Sequence, residues 1–273
     1  MDHTYDPTRN LALELVRVTE AAALASGRFM GRGDKEGADQ AAVNAMRIVL
    51  QTVDMNGVIV IGEGEKDNAP MLYNGENVGN GSGLAFDVAV DPIDGTRPLA
   101  FGRSNSLATV AISPRGSMFD PGPFVYMNKL AVGPEAKGVI NIEKSITENL
   151  KAIAKAKHKD VEDLTTIILD RERNNEMIAE IRKSGARIRQ IPDGDVAAAL
   201  MTAWPDSGVD VLIGIGGTPE GVLAACALRA MGGEIQGKLY ARDEDESRRG
   251  HEAGYDFDKV LTMNDLVSSE DVF

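Results

Sequence analysis

The pattern of apolar and polar positions predicts a chain in which helices and strands alternate. Near the N-terminus, apolar residues recur at steps of three and four, the spacing of a helix that buries one face. Asp6 followed by Pro7 suits the start of this helix, and the glycines at 31 and 33 suit its end. A second helix is predicted from about residue 35 to 52. Its expected buried residues are Ala38, Ala41, Ala45, Ile48 and Val49.

Short apolar runs between the helices predict strands. We expect strands at residues 58–61, 86–90 and 107–112, with Pro92 ending the second because proline has no N–H to donate. From residue 165 onward, strands and helices alternate, which is typical of a sheet with crossover helices. The expected strands there are 166–169, 187–191 and 209–213, and the expected helices are 174–184, 196–203 and 219–231, after an earlier helix at 146–156. The segment 74–83 reads as a hairpin or loop, and the charged run 243–250 as a solvated loop.

The amino-acid composition limits the kinds of molecule that the chain can be expected to bind. The chain has 273 residues and a formal net charge of −13, which argues against nucleic acid and anionic membrane surfaces as partners. The only cysteine, Cys226, lies in an apolar run and is expected in the core, so no disulfide forms within the chain. We see no signal peptide and no apolar run long enough to span a bilayer, and therefore expect a cytoplasmic protein without a membrane partner.

The stretch from Asp91 to Thr96 is the strongest candidate for chemistry. Asp91 and Asp94 fall three residues apart where a buried strand gives way to a turn, and Gly95 permits backbone angles that other residues avoid. Carboxylates so close together repel each other unless a cation lies between them. Hard oxygen ligands suit Mg²⁺ or Mn²⁺. A turn with no bound ion is the alternative, since Asp-Pro and Asp-Gly are common turn dipeptides.

Other acidic residues follow strands or begin helices in the same way. Glu63 comes directly after the strand at 58–61, and Glu220 opens the helix at 219–231. Ligands of open α/β sheets bind beyond the carboxyl ends of strands, so these side chains and the Asp91–Asp94 pair are expected in one cleft, with Asp39 joining from its helix. Each of them alone has a plain alternative, which is solvation at the surface or, for Glu220, a favourable charge at a helix N-terminus.

Three further segments have both a functional and a structural interpretation. The glycines at 214–217 are either a loop whose amides approach a sugar or phosphate, or a tight turn; Pro219 breaks the dinucleotide-binding pattern. Arg171 and Arg173, on either side of Glu172, either clamp a phosphate or form a solvated turn. Asp193 and Asp195 either accept hydrogen bonds from sugar hydroxyls, or Asp195 is a helix cap.

These motifs together resemble the class II fructose-1,6-bisphosphatases, which belong to the lithium-sensitive, metal-dependent phosphatase superfamily. The matching segments are 31–35 with Ala38 and Asp39, 61–65 with 69–73, 91–96, 191–197, and 214–217 through 219–221. The resemblance implies a layered α-β-α-β-α fold of the α/β class. It also implies an N-terminal half, 1–140, with most metal ligands, and a C-terminal half, 141–273, with sugar- and phosphate-binding loops. That second half is shorter than in family members, many of which also have Glu at the position of Asp94.

By the same resemblance, the activity is hydrolysis of the 1-phosphate of fructose 1,6-bisphosphate, dependent on Mg²⁺ or Mn²⁺. The implied metal ligands are Asp39, Glu63, Asp91, Asp94 and Glu220. Thr96 matches the threonine that orients or deprotonates the attacking water, beside Asp94 and Glu63. The implied substrate contacts are Asp94, Gly95, Thr96, Tyr126, Arg171, Glu172, Arg173, Asp193, Gly194, Asp195 and Gly217.

The resemblance also implies a homo-oligomer, a dimer or tetramer. Two alternatives stay open. In the first alternative, the chain is a dual enzyme that also hydrolyses sedoheptulose 1,7-bisphosphate, or it is another sugar or inositol phosphatase. A non-catalytic, truncated homologue that binds sugar phosphates is the alternative from another class.

Overall fold

A computed structural model describes residues 10–64, 71–122, 124 and 126–273. The first helix, α1, is Leu11–Gly27, and the Asn10 side chain caps it by accepting a hydrogen bond from the Leu13 N–H. The predicted cap at Asp6 and Pro7 lies outside the described residues. The helix also ends before the glycines at 31 and 33 that were expected to terminate it.

The second helix, α2, is Lys35–Leu50 and buries a different face from the predicted one. Ala38 is buried as expected, but Ile48 is 69% exposed. Apolar residues occur on most sides of this helix, so their spacing alone does not fix the buried face; packing against α1 and the neighbouring sheet does. The buried residues are Ala38, Ala42, Val43, Met46 and Leu50.

The first sheet has four strands in the order β2-β1-β3-β4. Strands β1 and β3 are parallel, and β4 is antiparallel to β3. The elements are β1 (Asn56–Ile61), β2 (Asn77–Val78), β3 (Ala85–Asp94), a short helix α3 (Thr96–Ala100) and β4 (Leu107–Pro114).

Strand β3 continues through Pro92, so the prediction that this proline ends the strand is wrong. The pairing of β3 with β4 shifts between Asp91 and Asp94, which places Pro92 in a bulge. The parallel pairing with β1 has already ended at Ala89. A residue without an N–H is therefore tolerated here.

The second sheet has five strands in the order β7-β6-β8-β5-β9. The predicted crossover helices join parallel strands β6, β7 and β8, whereas β5 and β9 are antiparallel to their neighbours. The elements are β5 (Tyr126–Val132), α4 (Ile146–Ala156), β6 (Thr165–Leu169), α5 (Asn175–Ser184), β7 (Arg187–Ile191), α6 (Asp195–Ala203), β8 (Val211–Gly217), α7 (Thr218–Met231) and β9 (Glu234–Tyr240).

Several parts of this second sheet differ from expectation, and β5 is one of the strands that were not predicted. The glycines at 214–217 belong to β8, not to a loop or tight turn, and β9 was not predicted at all. Strand β5 precedes residue 140 yet lies in the second sheet, and the division of the chain into halves at that point stays a prediction.

The charged run near the C-terminus is helical, which corrects the predicted solvated loop. Helix α8 (Glu244–Glu252) begins after Asp243, whose side chain accepts from the Glu246 N–H. Glu246 is buried and bonded to Arg242, so one side of the run is part of the packed structure. A short helix α9 (Met263–Leu266) follows, and Phe273 exchanges two backbone hydrogen bonds with Ile112 of β4.

The two sheets and their helices form the predicted α-β-α-β-α layers. Helices α1 and α2 share a core with the outer face of the first sheet, and α4 and α5 share one with the second. Helices α6 and α7 pack in a third core that contains residues of both sheets, and Cys226 is buried there at 2% exposure, as predicted. Within the described part of the chain, no helix has the length and apolar character to cross a membrane.

Candidate active site

Glu63 is positioned by the turn that follows β1. Its N–H donates to the Leu72 carbonyl at 2.9 Å. A Cβ at the preceding residue, Gly62, would overlap that carbonyl oxygen, so only glycine allows the two backbone segments to approach so closely.

Asp91 and Asp94 lie at either end of the β3 bulge. The Oδ1 atom of Asp91 accepts from the Ile93 N–H at 3.0 Å, and Oδ2 of Asp94 accepts from the Ala197 N–H of α6 at 2.9 Å. Gly95 follows with a φ of 85°, a left-handed conformation that favours glycine. Thr96 then begins α3, and its hydroxyl donates to the Ile93 carbonyl at 3.3 Å.

Glu220 lies in the first turn of α7, directly after β8. Its Oε2 atom is buried and has no hydrogen-bond partner among the described residues. Burial of a carboxylate oxygen without a partner is costly, and it raises the pKa of Glu220. This oxygen is therefore the atom of the site that most needs a cation or a proton.

Charges of several predicted acidic residues act on their neighbours, so these side chains lie near one another. Burial, followed by the charges of Asp39 and Glu220, raises the pKa of Glu63 to about 7. Burial, followed by Asp94, Glu220 and Glu63, raises the pKa of Asp91. Burial also raises the pKa of Asp39.

The pKa of Asp94 is also strongly raised. Burial, followed by the nearby Asp195 carboxylate, raises its pKa to about 8, against the opposing effect of the Ala197 N–H. Without a cation, Asp94 therefore keeps a proton near neutral pH, because burial and the repulsion of its acidic neighbours both disfavour the charged form.

The residues fit a divalent cation in their chemistry, although they are not gathered tightly around one point. Within the described ranges, no three His, Cys, Asp or Glu side chains lie in positions to hold a metal ion. The unpartnered Oε2 of Glu220 and the oxygen-only set of donors nevertheless suit a hard cation. Binding such an ion requires side chains of the cleft to turn toward it.

The predicted phosphate-binding residues lie on the second sheet. Tyr126 pairs with Gly217 across β5 and β8, and the Arg173 guanidinium lies over the Tyr126 ring at 4.4 Å from its centroid. The Arg173 Nε–H donates to the Ile215 carbonyl at 3.0 Å. Arg171 lies 3.6 Å from Asp193, so the arginines and the predicted sugar contacts are neighbours. Glu172, between the arginines, is exposed.

The predicted sugar contacts lie next to Asp94. Gly194 is close to both Asp94 and Gly95, and it caps α6 with a φ of 87°. The interpretation of Asp195 as the cap is therefore wrong; Asp195 is the first helical residue. Its carboxylate is free to turn inward, where Oδ2 accepts from the Lys129 ammonium at 2.5 Å.

Lys129 is the residue of this region that sequence reasoning missed. It is 2% exposed and also donates to the Gly217 carbonyl at 2.8 Å. Its signal in the sequence is a lysine in the middle of the strand 126–132, followed directly by three apolar residues. Lysine is almost never fully buried without a partner, so a lysine at this position indicates a buried acceptor nearby but does not identify it.

The glycines at the end of β8 make room for two of these carboxylates. A Cβ at Gly216 would overlap the Asp195 carboxylate, and one at Gly217 would overlap the Glu220 carboxylate. Neither glycine serves a tight turn. Their missing side chains allow Asp195 and Glu220 to lie against the strand.

Cavity size alone does not locate this site. A cavity of about 680 Å³ lies at the opposite end of β8, bordered by Lys157, Trp204 and Asp210. It contains none of the residues predicted to bind metal or substrate. The acidic cleft is distinguished instead by its buried, mutually repelling carboxylates.

Comparison with known proteins agrees with the sequence resemblance. A family model described as "Bacterial fructose-1,6-bisphosphatase, glpX-encoded" matches residues 9–273. Fructose-1,6-bisphosphatase 1 class 2 of Escherichia coli K12 is 50% identical over 277 aligned positions, which cover 97% of this chain and 82% of that protein. The class 2 enzymes of Escherichia coli O6:H1 and Shigella flexneri match with the same identity and coverage. The chain belongs to the bacterial, glpX-encoded family of class 2 fructose-1,6-bisphosphatases.

Proposed function

We propose that this chain hydrolyses the 1-phosphate of fructose 1,6-bisphosphate, giving fructose 6-phosphate and inorganic phosphate, in a reaction that depends on a divalent cation. The observation that carries the proposal is the cleft in which Glu220 keeps a buried, unpartnered oxygen among four other acidic side chains. Membership of the fructose-1,6-bisphosphatase family supplies the substrate class.

Mg²⁺ or Mn²⁺ is the proposed cofactor. When bound, such an ion polarises the phosphoryl oxygens and stabilises the leaving alkoxide. The chain contributes oxygen donors only, which suits these hard cations better than the nitrogen and sulfur ligands favoured by zinc sites. The proposed ligands are Asp39, Glu63, Asp91, Asp94 and Glu220.

Thr96 is the proposed residue for orienting the attacking water. Thr96 is the first residue of α3 and lies two residues after Asp94. Its hydroxyl is held weakly, by a 3.3 Å hydrogen bond to the Ile93 carbonyl. Glu63 and Asp94 are the neighbouring carboxylates proposed to accept the proton of this water. The backbone at Gly95 and Thr96 is proposed to contact the reacting phosphate.

The rest of the substrate is proposed to extend toward the second sheet. Arg171, Arg173 and Tyr126 would bind the phosphate that is not cleaved, because guanidinium groups pair well with phosphate oxygens. Asp193, Gly194, Asp195 and Gly217 would contact the sugar. Glu172 is included in the proposed substrate contacts only because it lies between the two arginines.

The test is a phosphate-release assay on the purified chain. We expect release from fructose 1,6-bisphosphate to depend on added Mn²⁺ or Mg²⁺ and to stop with EDTA. A panel with sedoheptulose 1,7-bisphosphate and inositol monophosphate tests the dual or alternative phosphatase. A chain that is stabilised thermally by fructose 6-phosphate yet releases no phosphate with either metal would instead be a non-catalytic binding protein.

A homo-oligomer, dimer or tetramer, is also proposed from family membership. Sedimentation velocity of the metal-loaded chain tests it, since the monomer has a mass of 29.1 kDa.

A further inference from the structure

Lys129 is a buried cation with two partners on different elements of the fold. Its side chain leaves the centre of β5 and is 2% exposed. The ammonium donates to Oδ2 of Asp195 at 2.5 Å and to the carbonyl of Gly217 at 2.8 Å. Burying an ammonium costs free energy unless it is paired and hydrogen-bonded, and here it is both.

The route of this side chain is defined by two glycines. A Cβ at Gly221 would lie 3.3 Å from Cδ of Lys129, and one at Gly216 would lie 3.0 Å from its Nζ. The lysine therefore passes through a space that exists because both positions lack a side chain. Such close packing fixes where the ammonium lies.

The two partners lie on the two elements that border the proposed sugar site. Asp195 is the first residue of α6, and Gly217 is the last residue of β8. The first turn of α6 also donates the Ala197 N–H to Asp94. Lys129 thus connects the start of α6, which borders Asp94, to the end of β8, which borders Glu220.

We propose that Lys129 is a positioning residue for substrate binding. It holds the Asp195 carboxylate against the end of β8 and so fixes the separation of the two elements that contact the sugar. Lys129 acts through Asp195, which it ties to the Gly217 carbonyl, and does not touch the reacting atoms. This role rests on the proposed function, because the sugar contacts of Asp195 and Gly217 are part of it.

The first test is Lys129→Met, which keeps the aliphatic stem and removes the donor. We expect the KM for fructose 1,6-bisphosphate to rise about 30-fold while kcat changes by no more than about threefold. The Kd of fructose 6-phosphate, measured by calorimetry with Mn²⁺ present, should rise by a similar factor. A purely structural role would lower the amount of folded enzyme, and so the apparent kcat, without changing KM or Kd.

Lys157→Met is the matched control. Lys157 is also buried, with 9% of its side chain exposed, and it pairs with buried Asp210 at 3.0 Å, far from the proposed sugar site. We expect this variant to lose stability but to keep the KM and Kd of the unmodified chain. An equal rise in KM for Lys157→Met would overturn the proposal.

A double-mutant cycle tests whether Lys129 acts through Asp195. If it does, Lys129→Met combined with Asp195→Asn should have nearly the same KM and Kd as Asp195→Asn alone. If the increases in KM and Kd caused by the two single substitutions instead multiply in the double variant, the proposal is overturned. The double variant removes both buried charges together, so the comparison still holds if Lys129→Met alone does not fold.

The binding measurement separates this proposal from the proposed function. If the unmodified chain binds fructose 6-phosphate but hydrolyses no bisphosphate, the catalytic assignment fails and the Kd ratios still decide the role of Lys129. If Lys129→Met leaves both KM and Kd unchanged in an active enzyme, the positioning role alone is refuted. Absence of any fructose 6-phosphate binding by the unmodified chain would refute both.

Discussion

Without a bound cation, the acidic cleft should make the protein less stable as the pH rises. Glu63 shows this most clearly, since burial and its acidic neighbours raise its pKa from 4.5 to about 7 in the fold. Between these two values the folded chain binds more protons than the unfolded chain. The free energy of unfolding therefore falls as the pH rises through this window.

The size of the effect follows from the two pKa values. Glu63 lowers the free energy of unfolding by roughly 2.5 kcal/mol between about pH 5 and about pH 8. In Glu63→Gln the side chain at this position is uncharged in both the folded and the unfolded state, so the variant lacks this decrease. The variant should therefore gain about that much stability relative to the unmodified chain over the same interval.

Urea denaturation in the presence of EDTA, at both pH values, measures this difference. Asp265→Asn is the matched control, because the pKa of Asp265 is lowered to about 2 and it is ionised in both states throughout the interval. Its effect on stability should be the same at both pH values. A constant difference between Glu63→Gln and the unmodified chain would refute the reasoning.

Adding Mn²⁺ should reverse the order of stability of the unmodified chain and Glu63→Gln. A cation that binds only the folded state stabilises it by mass action. At about pH 8 the unmodified chain should gain more stability than Glu63→Gln, which has lost one of the proposed ligands. Equal gains would show that Glu63 does not take part in binding the ion.

Three further predictions concern activity and binding. Thr96→Ala should lower kcat at least about 100-fold with little change in KM or Mn²⁺ affinity, as measured by steady-state kinetics and calorimetry; full turnover would remove Thr96 from the proposed reaction. Gly217→Ala should weaken Mn²⁺ binding about tenfold because its Cβ overlaps the Glu220 carboxylate, whereas Gly27→Ala, with open space around it, should not. Arg173→Met should raise KM about 100-fold for fructose 1,6-bisphosphate but much less for fructose 1-phosphate, which lacks the second phosphate; equal effects would contradict the clamp.

The sequence predicted the elements well where local signals and packing agree. The helix Ile146–Ala156 has the predicted bounds, and Ser145 caps it in a reciprocal arrangement with Glu148. The strand Arg187–Ile191 also has the predicted bounds. Local rules failed for α2, where packing between distant segments decides which side of the helix is buried. At α8 the charged composition was taken to indicate a loop, although Asp243 is positioned to cap a helix.

The acidic residues were expected in one cleft because each lies near the end of a strand or in the first two turns of a helix. The rule covers Glu63 and the Asp91–Asp94 pair, since β1 and β3 are parallel neighbours in the first sheet, but it does not cover Glu220, which follows β8 of the second sheet. Predicting the partners of Lys129 would have required the strand order of the second sheet. Strand β5 lies between β8 and β9, which are about 80 and 100 residues away along the chain. No local pattern predicts this arrangement, so the partners of Lys129 were not predictable either.

The glycines of the site show a second limit of sequence reasoning. Gly95 has a φ of 85°, so its backbone conformation itself favours glycine, as predicted from its place in a turn. Gly217 has a φ of −66° and a ψ of 140°, which any residue adopts. It must be glycine because the Glu220 carboxylate occupies the space of its Cβ. A glycine needed for its backbone and a glycine needed for its missing side chain look the same in a sequence, and only the neighbouring atoms distinguish them.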